Sequence, residues 1–87
     1  MIIYTTSKFK KSYQHLPTSI KEKAVRKEGI FRENPFHPSL DTHSLQGIYK
    51  GYWAFWVDDS YRIMFQFLDT ARTKIVFINI GTHEIYR

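Results

Sequence analysis

Eighty-seven residues without a single cysteine leave no room for a second domain, a disulfide framework or a thiolate metal site. A chain of this length buries only about 60–65% of its unfolded surface, and seven Phe, six Tyr and two Trp supply the bulky groups that a thin core needs. The net charge is +5, and all of the excess lies in residues 1–36, where eight Lys/Arg face three Glu, while residues 37–87 balance.

Met1-Ile2-Ile3-Tyr4 is too brief for the apolar region of a signal peptide, and no run approaches the roughly 18 apolar residues of a membrane span. The expectation is a soluble, cytoplasmic protein with no membrane partner. Ile2 to Thr5 are β-formers and predict a first strand. Ser7 is placed to cap a helix running to about Leu16, with Phe9, Tyr13 and Leu16 on one face. Pro17 breaks it, and Ser19-x-x-Glu22 reads as the capping box of a second helix with an apolar stripe of Ile20, Ala24 and Phe31. Gly29 weakens its interior, and Asn34-Pro35 ends it. So short a link between the helices predicts an antiparallel hairpin.

Residues 35–47 read as a loop. Three strands then follow in a meander. In the first, 48–57, Tyr49, Trp53, Phe55 and Val57 alternate with Lys50, Tyr52, Ala54 and Trp56. Asp58-Asp59-Ser60 is the turn to the second, 61–68, where Tyr61, Ile63, Phe65 and Phe67 oppose Arg62, Met64, Gln66 and Leu68. Thr70–Thr73 turns the chain into Lys74–Ile80, apolar on both faces and so expected to be central or doubly covered. The order predicts one α+β domain over residues 1–87, an N-terminal strand, a two-helix hairpin and a three-stranded antiparallel meander, with the helices on one sheet face. The other face would then present Lys50, Tyr52, Trp56, Arg62, Met64 and Gln66, a mixture of aromatic and cationic groups suited to RNA.

The basic excess falls on the helical half, through Lys8, Lys10, Lys11, Lys21, Lys23, Arg26 and Lys27, with Lys50, Trp56 and Arg87 as further candidates for contact with RNA or the ribosome. It reads equally as a polyanion-binding surface or as ordinary solvated helix faces. Of four histidines, His15 near a helix end and His37 before Pro38 read as structural. His43 and His83 flank the sheet, where an imidazole can exchange protons near neutral pH. Asp41 offers no regular metal-ligand spacing with them, and no phosphate loop or nucleophile motif is present, so neither a metal nor a cofactor is expected. The residue types that remain suit metal-free RNA cleavage. There the RNA's 2′-hydroxyl is the nucleophile, a side chain such as His83 moves the proton, Arg62 offsets charge at phosphorus, and Tyr86 donates a proton or stacks on a base.

Five stretches, in order and over essentially the whole chain, resemble the RelE/ParE superfamily of bacterial toxins, most nearly the RelE and YafQ-like mRNA interferases. They are Phe31-Arg32-Glu33-Asn34-Pro35, His43-Ser44-Leu45-Gln46-Gly47, Gly51-Tyr52-Trp53, Tyr61-Arg62-Ile63-Met64-Phe65 and Gly81-Thr82-His83. The resemblance implies a type II toxin that cuts mRNA in the ribosomal A site and is neutralised by a cognate antitoxin. It implies catalytic roles for Arg62, His83, Tyr86 and His43, with Lys50 as a further candidate. The chain departs from the pattern at Trp53 and Phe55, where RelE carries lysines, and at Trp56 and Ser60, where YafQ-like enzymes carry histidine and aspartate. A ParE-like inhibitor of DNA gyrase, or a degenerate toxin that only binds its antitoxin, fits the same resemblance.

Overall fold

The structure, a computed structural model, describes Met1–Tyr86; the side chain of Tyr86 and the whole of Arg87 lie outside the described residues. Strand β1 (Ile2–Thr5) leads into helices α1 (Ser7–Gln14) and α2 (Thr18–Glu33). Four strands follow: β2 (His43–Ser44), β3 (Trp53–Trp56), β4 (Tyr61–Phe67) and β5 (Lys74–Thr82). Short 3-10 turns occupy Pro38–Leu40, Gly47–Tyr49 and His83–Tyr86. All five strands form one sheet in the order β1-β5-β4-β3-β2. The meander is antiparallel, and β1 returns to pair in parallel with β5, Ile3 opposite Ile75.

The expected α+β architecture is present, with both helices packed on one sheet face. Ile20, Ala24 and Phe31 of α2 join Phe55, Val57, Ile63, Phe65, Ile75, Phe77 and Ile80 in the main core, with Phe9 and Tyr13 of α1 against it. Phe31 is its pivot, fully buried with ring centroids 4.7 Å from Phe55, 5.0 Å from Phe65 and 5.6 Å from Phe77. Burial of such a ring contributes about 1.5–3 kcal/mol.

Local chemistry moved several boundaries. Thr6, not Ser7, caps α1: its hydroxyl accepts from the Phe9 N–H at 3.0 Å. The same hydroxyl donates to the Ile78 carbonyl at 2.7 Å. The helix ends at Gln14, short of Leu16. The Ser19 capping box does not form, because α2 begins at Thr18 with Pro17 as its cap, and the Pro17 carbonyl takes the N–H groups of Ile20 and Lys21 at 3.0 Å each. The expected strand 48–57 shrinks to Trp53–Trp56, since Gly47 (φ +67) and Gly51 (φ +96) fold residues 47–51 into a tight loop. Part of the expected loop instead supplies β2 at the sheet edge.

Strand β5 lies inside the sheet between β1 and β4 and is packed on both faces as expected, with Ile75, Phe77 and Ile80 in the main core and Ile78 against a smaller cluster opposite, and it runs on to Thr82. It carries an irregularity: Phe65 pairs with Phe77 but Met64 with Asn79, which leaves Ile78 as an extra residue. Helix α1 is pinned at that bulge, by Thr6 on the Ile78 carbonyl and by Ser12, whose hydroxyl donates to Asn79 Oδ1 at 2.8 Å. The bulge shifts the alternation so that Ile80 enters the core and Gly81 meets Arg62 across the strands.

Candidate functional site

The sheet face away from the helices is less open than the alternation implied. Leu45, Ala54 and Met64 are buried there beneath Tyr49, Tyr52, Ile78 and Ile85. Met64 and Tyr52 are therefore parts of a second small core, and Lys50 stands on the exposed 47–51 loop instead of a strand. Trp56, Arg62 and Gly81 form a half-buried row on this face, set by pairing of Trp56 with Arg62 and of Arg62 with Gly81, and Gln66 farther along β4 is likewise half-buried.

Arg62 stacks on Trp56, its guanidinium carbon 4.3 Å from the ring centroid. Its Nη1 donates to the carbonyls of Asp58 at 2.7 Å and Tyr61 at 3.1 Å, and its Nη2 to that of Asp59 at 3.1 Å. An arginine has five N–H donors; three are spent closing the β3–β4 hairpin, and among the described residues the other two have no partner. These bonds run to the backbone of Asp58 and Asp59, not to their carboxylates. Asp58 caps the same turn from its other side, accepting from the N–H groups of Ser60 at 2.9 Å and Tyr61 at 2.8 Å, with Lys23 Nζ at 3.4 Å. Burial pushes the Asp58 carboxyl up, but these N–H donors and Lys23 outweigh it and hold the group below its ordinary 3.8.

Beyond Gly81 the chain turns back as His83–Tyr86, and Ile85 lies over Gly81 so closely that a Cβ at position 81 would sit 2.6 Å from Ile85 Cγ2. Any side chain at position 81 would force Ile85 to move. His83 is carried on this turn with 63% of its side chain exposed and Nε2 3.7 Å from Glu84 Oε1. Thr82, just before it, is one strand and one residue from Arg62, about 6 Å between Cα positions at standard sheet spacings. His83 thus follows directly on the strand that pairs with Arg62.

His43 is not part of that pair. It pairs with Ala54 on the edge strand, three strands from β5, and the same spacings put it about 18 Å from Thr82. Its Nδ1 lies 2.7 Å from the Asp41 carbonyl. A carbonyl only accepts, so Nδ1 carries the proton and, in the neutral ring, Nε2 has a free lone pair. His15 bonds the Lys11 carbonyl through Nδ1, and His37 caps the 38–40 turn through Ser39. The Tyr86 side chain lies outside the described residues.

The basic candidates divide similarly. Lys8, Lys10, Lys11, Arg26 and Lys50 are exposed. Lys23 is paired with Asp58, Lys27 donates to the Ser39 carbonyl at 3.0 Å, and Lys21 lies over the Tyr13 ring at 5.6 Å. Trp56 is half-buried beneath Arg62, and Arg87 lies outside the described residues. Glu84 beside His83 and Arg72 among three aromatic rings were not marked by the sequence reading, although the first follows the histidine directly. Among the described residues no group of three or more His, Asp or Glu could hold a metal ion, and no helix is long and apolar enough to cross a membrane.

No family model and no curated protein matches the sequence. Solved structures match the fold. A YoeB/ParE toxin from Agrobacterium tumefaciens superposes with a TM-score of 0.79 at 19% identity, covering 95% of this chain and 99% of that one. YafQ from E. coli gives 0.78 at 20% identity, covering 97% and 94%. The RelBE2 toxin–antitoxin complex of Mycobacterium tuberculosis gives 0.76 at 17% identity, covering 93% and 95%. The chain has the RelE/ParE-like toxin fold.

Proposed function

We propose that this chain is the toxin of a type II toxin–antitoxin pair and acts as a metal-free, ribosome-dependent mRNA endoribonuclease. The observation that carries the reading is the exposed His83 on the turn that follows β5, whose Gly81 pairs with Arg62 of β4, in a fold shared with toxins solved in complex with antitoxins, such as E. coli DinJ-YafQ. In the reaction, the 2′-oxygen bonds to the adjacent phosphorus and the bond from phosphorus to the 5′-oxygen breaks. One proton leaves the 2′-hydroxyl and one reaches the 5′-oxygen, giving a 2′,3′-cyclic phosphate and a 5′-hydroxyl. His83 supplies one of these proton transfers, and the ribosome or Tyr86 completes the other. Arg62 contributes its fixed charge and its two unspent donors to the phosphoryl oxygens. His43, about 18 Å away, serves in holding the RNA rather than at the same phosphate. The exposed lysines of α1 and Arg26 would meet ribosomal RNA, with binding that weakens steeply with salt.

A second reading has its own support. Three donors of Arg62 are already engaged, and the family's lysine positions are occupied by Phe55 in the core and Trp53 against it. Both suit a toxin that acts by binding, as a ParE-like gyrase inhibitor or an antitoxin partner alone. Expression from a tight promoter, with and without His83→Ala, separates them. Growth arrest with codon-phased mRNA ends, both lost in the variant, supports the nuclease. Arrest that persists in the variant without such ends refutes it.

A further inference from the structure

The turn between β4 and β5 holds a second arginine whose setting is the reverse of Arg62's. Arg72 adopts φ +58, a left-handed conformation that is uncommon for a residue of its kind. Asp69 organises the turn. Its Oδ1 accepts from the N–H groups of Thr73 at 2.8 Å and Lys74 at 3.1 Å, its Oδ2 takes the Thr73 hydroxyl, and its carbonyl takes the Arg72 N–H at 3.2 Å. The guanidinium carbon is thereby set 4.9 Å from the ring centroids of both Phe36 and Phe67 and 5.6 Å from that of Trp53. Those rings already pack together, Phe36 and Phe67 each 5.6 Å from Trp53. Among the described residues no hydrogen bond or ion pair takes any of the guanidinium donors of Arg72. Asp69, the turn's own carboxylate, is directed onto Thr73 and Lys74, away from those donors. Phe36 is 41% exposed beside the cation.

We propose that Arg72 and Phe36 bind one nucleotide of single-stranded RNA, the guanidinium edge taking the phosphate and the exposed ring of Phe36 taking the base. A guanidinium stacked on aromatic faces is held in place and weakly hydrated, so its fork meets a phosphate at small entropic cost. A flat apolar ring beside a fixed cation matches a base beside its phosphate, the combination by which proteins hold single strands. An acidic peptide would use the donors and leave the ring unused, whereas a nucleotide uses both. The site is separate from the Arg62–His83 pair: Phe67 is five residues along β4 from Arg62, about 17 Å. The inference rests on RNA as the partner but not on cleavage.

The test is fluorescence anisotropy of the full chain with a labelled oligonucleotide of roughly eight ribonucleotides, titrated between about 50 and 200 mM salt. Arg72→Gln keeps the stem and a planar end group and removes the charge. It is expected to weaken binding about ten-fold and to reduce the slope of log affinity against log salt by about 0.7, the value for one single-strand phosphate. Phe36→Ala is expected to weaken binding about ten-fold with the slope unchanged. Arg72→Lys should restore the slope but not the full affinity. Circular dichroism matching the parent confirms that each variant is folded. A wild-type slope in Arg72→Gln overturns the proposal, as does Arg72-dependent binding of a Glu-rich octapeptide with RNA binding unaffected. Failure of the parent chain to bind RNA overturns this site but not ribosome-dependent cleavage, which the mRNA ends test, and loss of the cleavage reading alone leaves this site standing.

Discussion

Gly81 is the residue on which the geometry of the His83 turn depends. An alanine there would place its Cβ 2.6 Å from Ile85 Cγ2, well inside van der Waals contact. That methyl is attached directly to the Ile85 Cβ, so the clash is relieved only by rotating or lifting the isoleucine, which itself packs over Leu45, Ala54 and Met64. Overpacking of this kind costs about 1–3 kcal/mol, and for a chain of this size each kcal/mol lowers Tm by about 4–8 °C. The expected result for Gly81→Ala is therefore a loss of at least about 1 kcal/mol in urea unfolding, with a fall in any His83-dependent activity. Ile85→Ala alone should cost about 1–2 kcal/mol through lost packing. The double variant should be more stable than the two single losses predict, by about 1 kcal/mol or more, because the second truncation removes what the first one strikes. Strictly additive losses, or a Gly81→Ala protein as stable as the parent, would refute the contact.

Two further outcomes follow from the hairpin. Because the Asp58 carboxyl is held below its ordinary value, its contribution to stability is complete above about pH 4, the unfolded value, and is lost as pH falls through the lower folded value. Asp58→Asn should flatten the acid limb of a stability–pH curve measured by urea unfolding, and an unchanged limb would contradict the assignment. Arg62→Lys keeps the charge but loses the planar fork that spans three carbonyls and stacks on Trp56; it should cost about 1–2 kcal/mol, and a fully stable variant would show that the turn closes without it.

The parts of the fold legible in the sequence were those fixed by local patterns. The β-forming Ile2–Thr5, the apolar stripe of α2 and the alternation of β4 each appear where period and propensity place them. The departures have specific causes. Two positive-φ glycines at 47 and 51 folded the front of an apparently continuous strand, and Pro17 took over the start of α2 from Ser19. The bulge at Ile78 and its tie to Thr6, 72 residues away, depend on contacts that no local pattern encodes. At the site, the strand register pairs Arg62 with Gly81, two residues before His83, while His43 lies three strands from β5. The engagement of Arg62 by turn carbonyls was not legible, since every residue carries a carbonyl and only the hairpin's shape decides which three converge. Arg72 was hidden for a similar reason: its aromatic partners at positions 36, 53 and 67 come from separate elements.

Cleavage of RNA by His83 and Arg62 through the 2′-hydroxyl is tested by the chemistry of the ends produced when the purified chain is added to ribosomes carrying a defined mRNA. Upstream fragments are expected to end in a 2′,3′-cyclic phosphate and downstream fragments to begin with a 5′-hydroxyl, both reduced about 100-fold or more by His83→Ala. Uncut mRNA, or cutting that proceeds equally in the His83→Ala protein, would contradict it.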